Sequence, residues 1–313
     1  MRRRSFATTL LSLVAGLGIR PERSSPPPGT LPTRPLGRTG LDVTILGLGG
    51  HHVSVSGSEP NARRLVEAAL EEGINFFDTA ESYGGGSSEA WLGKALAGVR
   101  KSVVLMTKTY APDERSAESA RRHLEGSLSR LNTDYLDLWQ LHSVRSPDDV
   151  DRAFGPGGAM EFITEARSQG TVRFIGVTGH VTPAAHRRAL EYWDRGIKFD
   201  VMQMPLNPLD YHQQSFTREV LPMAVDRGIG VIAMKTSADG ALLREGLATI
   251  DECQRYVWSL PVSLAVVGME RPELVRENAS RAREFRAMSE ADIAALRSRL
   301  EPRAQLALEW YKK

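Results

Sequence analysis

The sequence predicts an α/β fold, a (β/α)8 TIM barrel in a single domain with an N-terminal leader and a short C-terminal extension. Three observations carry this. One helix–glycine–strand phrase recurs along the chain, eight short apolar strands can be counted, and polar groups capable of chemistry fall at the ends of successive strands. Alternating strands and helices in this number favour a closed parallel barrel over an open sheet, and place the active site at the C-terminal strand ends.

The recurring phrase is an amphipathic helix that closes on glycine, followed within a few residues by an apolar strand. Gly73 leads into Asn75–Asp78, Gly170 into Phe174–Val177, Gly196 into Asp200–Gln203 and Gly228 into Gly230–Ala233. Glycine ends a helix because it takes positive φ without a Cβ clash. A parallel strand covered on both faces is apolar throughout. Strands are expected near Thr44–Leu48, Asn75–Thr79, Ser102–Thr107, Leu136–Leu141, Arg173–Val177, Val201–Met204, Gly230–Met234 and Leu264–Val267.

The helices between them follow the 3.6-residue period. Ala62, Leu65, Val66, Ala69 and Leu70 make one stripe, and Ala120, Leu124, Leu128 and Leu131 another. Thr182-Pro183 is an N-cap followed by proline at the first helical position. Ser289 opens a last helix running to about Leu300, with Glu290 and Asp292 where the helix dipole favours acids. These signals divide the chain into a leader at 1–24, a linker at 25–32, the barrel at 33–288 and a C-terminal helix and tail at 289–313.

With 313 residues, 41% hydrophobic and 25% charged, the chain has ordinary globular composition. Its single cysteine, Cys253, allows no internal disulfide and no cysteine-rich metal site. The net charge is +2; five arginines against one glutamate in the first 23 residues account for +4, so the rest carries −2. A near-neutral body gives no electrostatic footprint for nucleic acid. Oligomeric state is not readable from the sequence.

The leader has its own order. Arg2-Arg3-Arg4 is a basic start, Ala7–Ile19 is small and apolar, and Arg20–Pro32 is rich in Pro, Ser and Arg. That order is the one an export signal takes, and Arg3-Arg4-x-Phe6 resembles the twin-arginine type, a route for folded proteins. Export to the periplasm or beyond is the expectation, a cytoplasmic enzyme with a loose arm the alternative. Any membrane contact would run through this leader or the export machinery.

The strand ends carry the chemistry. The second strand ends in Asp78, with Tyr83 five residues on; the third ends in Lys108 and the fourth in His142. Singly, an aspartate after a strand is a helix cap, and a lysine is a solvated rim residue. Together, on adjacent strands, they face one mouth. Hydride addition to a carbonyl leaves an alkoxide that needs a proton. A phenol with a pKa near 10 is a poor donor at neutral pH, and a nearby ammonium should lower it. Asp78 could hold Lys108 charged, and His142 could align the carbonyl oxygen.

These residues resemble the aldo-keto reductase superfamily from about Arg34 to Phe285. Arg34–Val43 is similar to its N-terminal hairpin. Phe77-Asp78-Thr79-Ala80 with Tyr83-Gly84 is its most specific signature, followed by Ser88-Glu89 and Leu92-Gly93. Asp134–Leu138 leading to His142 is similar to its fourth strand, Ile175–Thr178 to its fifth, Gln203 with Asn207 to its sixth, and Gly268 through Glu277-Asn278 to its segment after the eighth. The resemblance implies reduction of an aldehyde or ketone, with Tyr83 as proton donor and Asp78, Lys108 and His142 completing a tetrad. It implies a small-molecule carbonyl substrate and NADP as coenzyme, with NAD the alternative.

For coenzyme contacts the resemblance points to Thr178, Gly179, Gln203, Met234, Lys235, Gly268, Glu270, Arg271, Glu277 and Asn278. Thr178 and Gln203 would meet the nicotinamide amide. Gly179 stands where asparagine is usual, and Met234 where a stacking tyrosine is usual. Lys235 would reach the diphosphate. Leu274 stands where arginine is frequent, and Glu270 would repel a 2′-phosphate and could accept from a ribose hydroxyl instead.

Gly47-Leu48-Gly49-Gly50 looks like a nucleotide loop, but the third fingerprint glycine is missing and no helix is expected to open there. The pairs His51-His52 and His180 with His186 lack a carboxylate at ligand spacing, so no metal is expected. Trp91, Trp139, Trp193 and Trp258 read as packing residues. Trp310 and Tyr311 lie in a tail that either covers the mouth or frays. A nicotinamide-binding regulatory barrel and a phosphate-dependent lyase or isomerase share this architecture. A complete tetrad argues against the first, and Tyr83 is unexplained by the second.

Overall fold

The computed structural model describes residues 29–109 and 114–313. The leader expected at 1–24 lies outside the described residues. Eight parallel strands close a barrel: β1 Leu46–Gly49, β2 Phe76–Asp78, β3 Val104–Thr109, β4 Leu136–Leu141, β5 Val172–Thr178, β6 Val201–Pro205, β7 Gly230–Met234 and β8 Leu264–Val267. Each pairs with the next in sequence, and β8 pairs back onto β1 through Ala265 opposite Leu46. The eight expected strands are present with ends within a few residues of their expected positions.

The helix boundaries follow local chemistry. Gly73, Gly170, Gly196 and Gly228 all have positive φ after a helix, as their recurrence implied. Thr182 Oγ1 accepts from Ala184 N at 3.3 Å ahead of Pro183–Asp194. Ser289 and Asp292 form a reciprocal capping box on Glu290–Leu300. One expectation fails: a helix, Gly50–Val55, does open after Gly47-Leu48-Gly49. The chain crosses β2 so closely there that a Cβ on Gly50 would lie 2.1 Å from Asp78 O. Close approach, not a nucleotide loop, explains that glycine.

Two apolar layers flank the barrel wall. Inside are Phe76, Val104, Met106, Leu138, Val201, Ile232, Leu264 and Val266; outside, against the helices, are Phe77, Leu105, Trp139, Ile175, Met202 and Val231. The inner layer is closed from below by the hairpin Thr33–Pro35 with Asp42–Thr44, which adds Leu36 and Val43. Gly37 (φ +54) sits so close that its Cβ would be 2.3 Å from Gly230 N. Trp139 and Trp258 are buried, and Trp91 and Trp193 pack against the core, as expected.

The alternation of strand side chains then decides the mouth. If Phe76 points inward, so does Asp78; if Val104 and Met106 do, so does Lys108. The same period carries Leu138 and Gln140 on to His142, and Val201 on to Gln203.

Candidate active site

Asp78 and Lys108 meet at the end of this inward row. Both are buried, at 4% and 1% exposure, so neither charge is hydrated and each depends on the other. Lys108 Nζ donates to Asp78 Oδ1, to Thr79 O at 2.8 Å and to the Tyr83 hydroxyl at 3.3 Å. Gln203 Nε2, from across the barrel, donates to Asp78 Oδ2 at 3.1 Å.

Tyr83 reaches the group from the loop after β2. It opens a single 3-10 turn, Tyr83–Gly86, in which Gly84, Gly85 and Gly86 all have positive φ. A Cβ on Gly84 would lie 2.3 Å from Ser87 Oγ and 2.7 Å from Ser54 Cβ. The turn seats the phenol ring 4.8 Å from Lys108 Nζ, edge-on to His142 (6.0 Å between centroids) and to His51 (5.5 Å).

Electrostatics correct one expectation. Burial raises the Tyr83 pKa above 10.0, and the opposing pull of Lys108 does not cancel it. The ammonium was expected to lower it below the ordinary value; desolvation of the phenolate wins. Burial alone would lower Lys108, but Asp78 and then Tyr83 outweigh it, so its net shift is upward and it stays charged. His142 is held well below its ordinary 6.5, first by burial and then by Lys108, His180 and Arg115. At neutral pH the group is therefore a phenol, an ammonium and a neutral imidazole.

Sequence reasoning missed what holds His142. Arg115 is buried against Asp149 in a two-pronged contact, Nε to Oδ1 and Nη2 to Oδ2, both at 2.9 Å. Its Nη1 donates to His142 O at 2.9 Å and Nη2 to Ser143 O at 3.1 Å, where Ser143 has φ +57. The pairing of Arg115 with Asp149 lies 34 residues apart, and no local pattern marks it.

The candidate coenzyme residues divide. Thr178, the last residue of β5, faces Gln203, the middle residue of β6, in register, both at 1% exposure. Gln203 Oε1 is buried without a hydrogen-bond partner, an acceptor that a carboxamide N–H would satisfy. Gly179 has no room for a side chain: its Cβ would lie 2.4 Å from Val144 O. The loop after β4 excludes the usual asparagine there. Met234 ends β7, half-buried, and Lys235 follows at φ +53 with Nζ 2.7 Å from Asp239 Oδ1.

On the β8 side, His52 covers Gly268, and its Nε2 is 3.8 Å from Glu270 Oε1. Arg271 and Glu277 are exposed, and Glu277 pairs with Arg281 at 3.5 Å. Asn278 is buried, donating to Leu274 O at 2.6 Å and accepting from Gln254. Leu274 packs against the core. The tail does not fray: Leu306–Lys312 folds as a 3-10 turn that reaches the loops after β5, β6 and β7. Among the described residues no group of three or more His, Cys, Asp or Glu could hold a metal ion.

A barrel mouth that gathers a buried carboxylate–ammonium pair, a protonated phenol and a neutral imidazole gives this (β/α)8 protein groups suited to acid–base chemistry. The chain belongs to the aldo/keto reductase family, whose match covers residues 45–255. It is 37% identical over 228 residues to an uncharacterised oxidoreductase of Bacillus subtilis, YrpG, covering 66% of this chain and 67% of that protein. It is 32% identical over 235 residues to L-galactose dehydrogenase of Arabidopsis thaliana, covering 68% and 67%. In structure it is similar to aldo-keto reductase AKR11C1 of Bacillus halodurans in its holo form, with a TM-score of 0.71, 25% identity, and coverage of 90% of this chain and 100% of that one. Family membership carries NAD(P)H-dependent carbonyl reduction as the general activity.

Proposed function

We propose that the chain reduces a small-molecule aldehyde or ketone to the alcohol, with Tyr83 as general acid. The observation that carries this is the Tyr83 hydroxyl 3.3 Å from Lys108 Nζ, a half-buried phenol kept protonated beside a cation. Bound NAD(P)H supplies the hydride. Neutral His142 donates a hydrogen bond to the carbonyl oxygen and holds it toward Tyr83. As the oxygen gains charge, the Tyr83 proton passes to it, and Lys108 stabilises the phenolate that remains. Asp78 keeps Lys108 charged and aimed.

Thr178 and the unpartnered Oε1 of Gln203 would hold the nicotinamide amide, Met234 would pack on its ring, and Lys235 would lie toward the diphosphate. Gly268, Glu270, Arg271 and the start of the following helix would take the adenosine end, with Glu277 and Asn278 further along that helix. NADPH is the coenzyme the family resemblance implies. Glu270, with a carboxylate 66% exposed, and Leu274, turned into the core, favour NADH as the second reading.

The test is nicotinamide oxidation by residues 33–313 with NADPH and NADH against a panel of aldehydes and ketones, beside Tyr83→Phe. Turnover that falls by roughly 10²–10⁴ in the variant supports the reading, and the ratio of kcat/KM values chooses the coenzyme. Tight coenzyme binding without turnover would favour a regulatory barrel. We further propose export of the folded protein by the leader, tested by fractionating cells that carry Arg3→Lys, Arg4→Lys.

A further inference from the structure

Tyr83 and Lys108 reach their contact from separate pieces of chain, the turn Tyr83–Gly86 and the end of β3. At 3.3 Å the hydrogen bond between them is already long, so a small shift of the turn against the strand would lose it.

The turn is fixed to the strand ends from behind the barrel wall. Strand alternation points Asp78 and Lys108 inward, so their neighbours Thr79 and Thr107 point outward, and both are fully buried. Each meets one of two consecutive residues in the first turn of the helix Ser87–Leu96, which begins where the Tyr83 turn ends. Ser88 Oγ donates to Gly50 O at 2.8 Å, which leaves the Thr79 hydroxyl as the donor in its 2.8 Å contact with Ser88 Oγ. The carbonyl of the same Thr79 receives Lys108 Nζ. Thr107 Oγ1 donates to Glu89 Oε1. Both strand ends that carry the buried ion pair are thereby tied to the helix that follows the Tyr83 turn.

Glu89 joins the two sides. Its carboxylate is fully buried, which is costly unless it is paired. Its second oxygen accepts from Arg130 Nε at 2.6 Å, and Arg130 lies on Gly86, where a Cβ would come within 2.8 Å of its Cδ. One oxygen therefore holds the residue before Lys108, and the other, through Arg130, holds the last residue of the Tyr83 turn. The helix has no slack to absorb a change. Gly93 packs so closely on the helix Ala117–Leu131, which carries Arg130, that a Cβ would lie 2.4 Å from Leu131 O. An apolar pair of the same volume would fill this space with less desolvation but would set no direction, as hydrogen bonds to one carboxylate do.

We propose that Glu89 and Thr107 are positioning residues for the proton transfer, setting the gap between the Tyr83 hydroxyl and Lys108 Nζ without touching either. The proposal rests on the reading of Tyr83 as general acid.

The test is a double-mutant cycle on the full chain, read by single-turnover reduction of a small aldehyde. Removing the buried Glu89 risks the fold, so the change is made at its partner: Thr107→Val keeps the side-chain shape without the donor, and Thr107→Ser restores the donor. We expect Thr107→Val to slow the step about tenfold, with coenzyme Kd and aldehyde KM within about twofold of the unaltered protein. Thr107→Ser should lie within about threefold of the unaltered rate. In a Tyr83→Phe background there is no hydroxyl to place, so Thr107→Val should slow the step no further. Equal losses in both backgrounds, or no loss in either, would overturn the proposal while leaving Tyr83 as the acid. Full activity in Tyr83→Phe alone would remove the general-acid reading, and the proposal with it. A second measurement needs no turnover. NMR of ring-labelled tyrosine, with Tyr83 assigned from Tyr83→Phe, should show its alkaline midpoint move to higher pH in Thr107→Val, as the pull of Lys108 weakens, and return in Thr107→Ser. An unmoved midpoint would overturn the proposal on its own.

Discussion

Gln203 Nε2 donates to Asp78 Oδ2 at 3.1 Å, while the other oxygen of the same carboxylate accepts from Lys108. One buried carboxylate thus ties the amide proposed to meet the coenzyme to the cation beside the proposed proton donor, Tyr83. Removing the amide should act on both. Gln203→Leu should raise the coenzyme Kd by about tenfold, the loss of one hydrogen bond of roughly 1.4 kcal/mol, and lower kcat as well. Fluorescence titration with NADPH and single-turnover kinetics separate the two. An unchanged kcat would break the proposed link between them.

The raised Tyr83 pKa fixes the direction of the pH profile. A general acid works while protonated, so reduction should stay level through neutral pH and fall only as pH rises past 10. Alcohol oxidation, which needs the phenolate, should climb toward alkaline pH. Because His142 is held well below 6.5, no inflection is expected between about pH 6 and 8. In Lys108→Met the cation that favours the phenolate is gone. Its alkaline limb should move higher while kcat falls by roughly 10²–10⁴, read from pH–rate profiles in both directions.

Arg115 should matter beyond its distance from the chemistry. Arg115→Leu leaves the buried Asp149 carboxylate with the Arg152 guanidinium and the backbone N–H of Arg145 as its partners. Breaking a buried pair costs about 3–5 kcal/mol, which lowers Tm by roughly 10 °C. The carbonyls of His142 and Ser143 also lose their donor, so kcat should fall with coenzyme affinity kept. Calorimetry and coenzyme titration on one preparation check both halves.

His186 makes the fold acid-sensitive. It is fully buried behind Gly179, its Nε2 3.2 Å from Gln203 O, and burial lowers its pKa from 6.5 to about 4. Below pH 6.5 the unfolded chain binds a proton that the folded one refuses. Stability from this group is therefore full above 6.5 and is lost as pH falls toward 4, about 3 kcal/mol in all. In His186→Gln, chemical denaturation between pH 7 and 4 should show a slope shallower by that amount.

Much of the site was legible because it follows local rules. Strand parity turns Asp78, Lys108, His142 and Gln203 inward once Phe76, Val104, Leu138 and Val201 are known to be core. Glycine after a helix marks where each strand begins. The helix at Gly50–Val55 was not legible, since its first residue is a glycine required by a close crossing of β2. The direction of the Tyr83 shift was not legible either, since it depends on how much water the folded mouth excludes.

The sequence by itself determined the barrel, its eight strands, and which residues stand at their C-terminal ends, because helix and strand periods are local and additive. Only the tertiary structure decided the partners: Arg115 with Asp149, Gln203 with Asp78, and Lys312 with Asp210 and Glu309. Each of these pairs residues 34 to 125 positions apart or depends on one that does. What selects them is the cost of leaving a charge unpaired in a closed interior, and no segment of the chain can express that cost before the barrel closes.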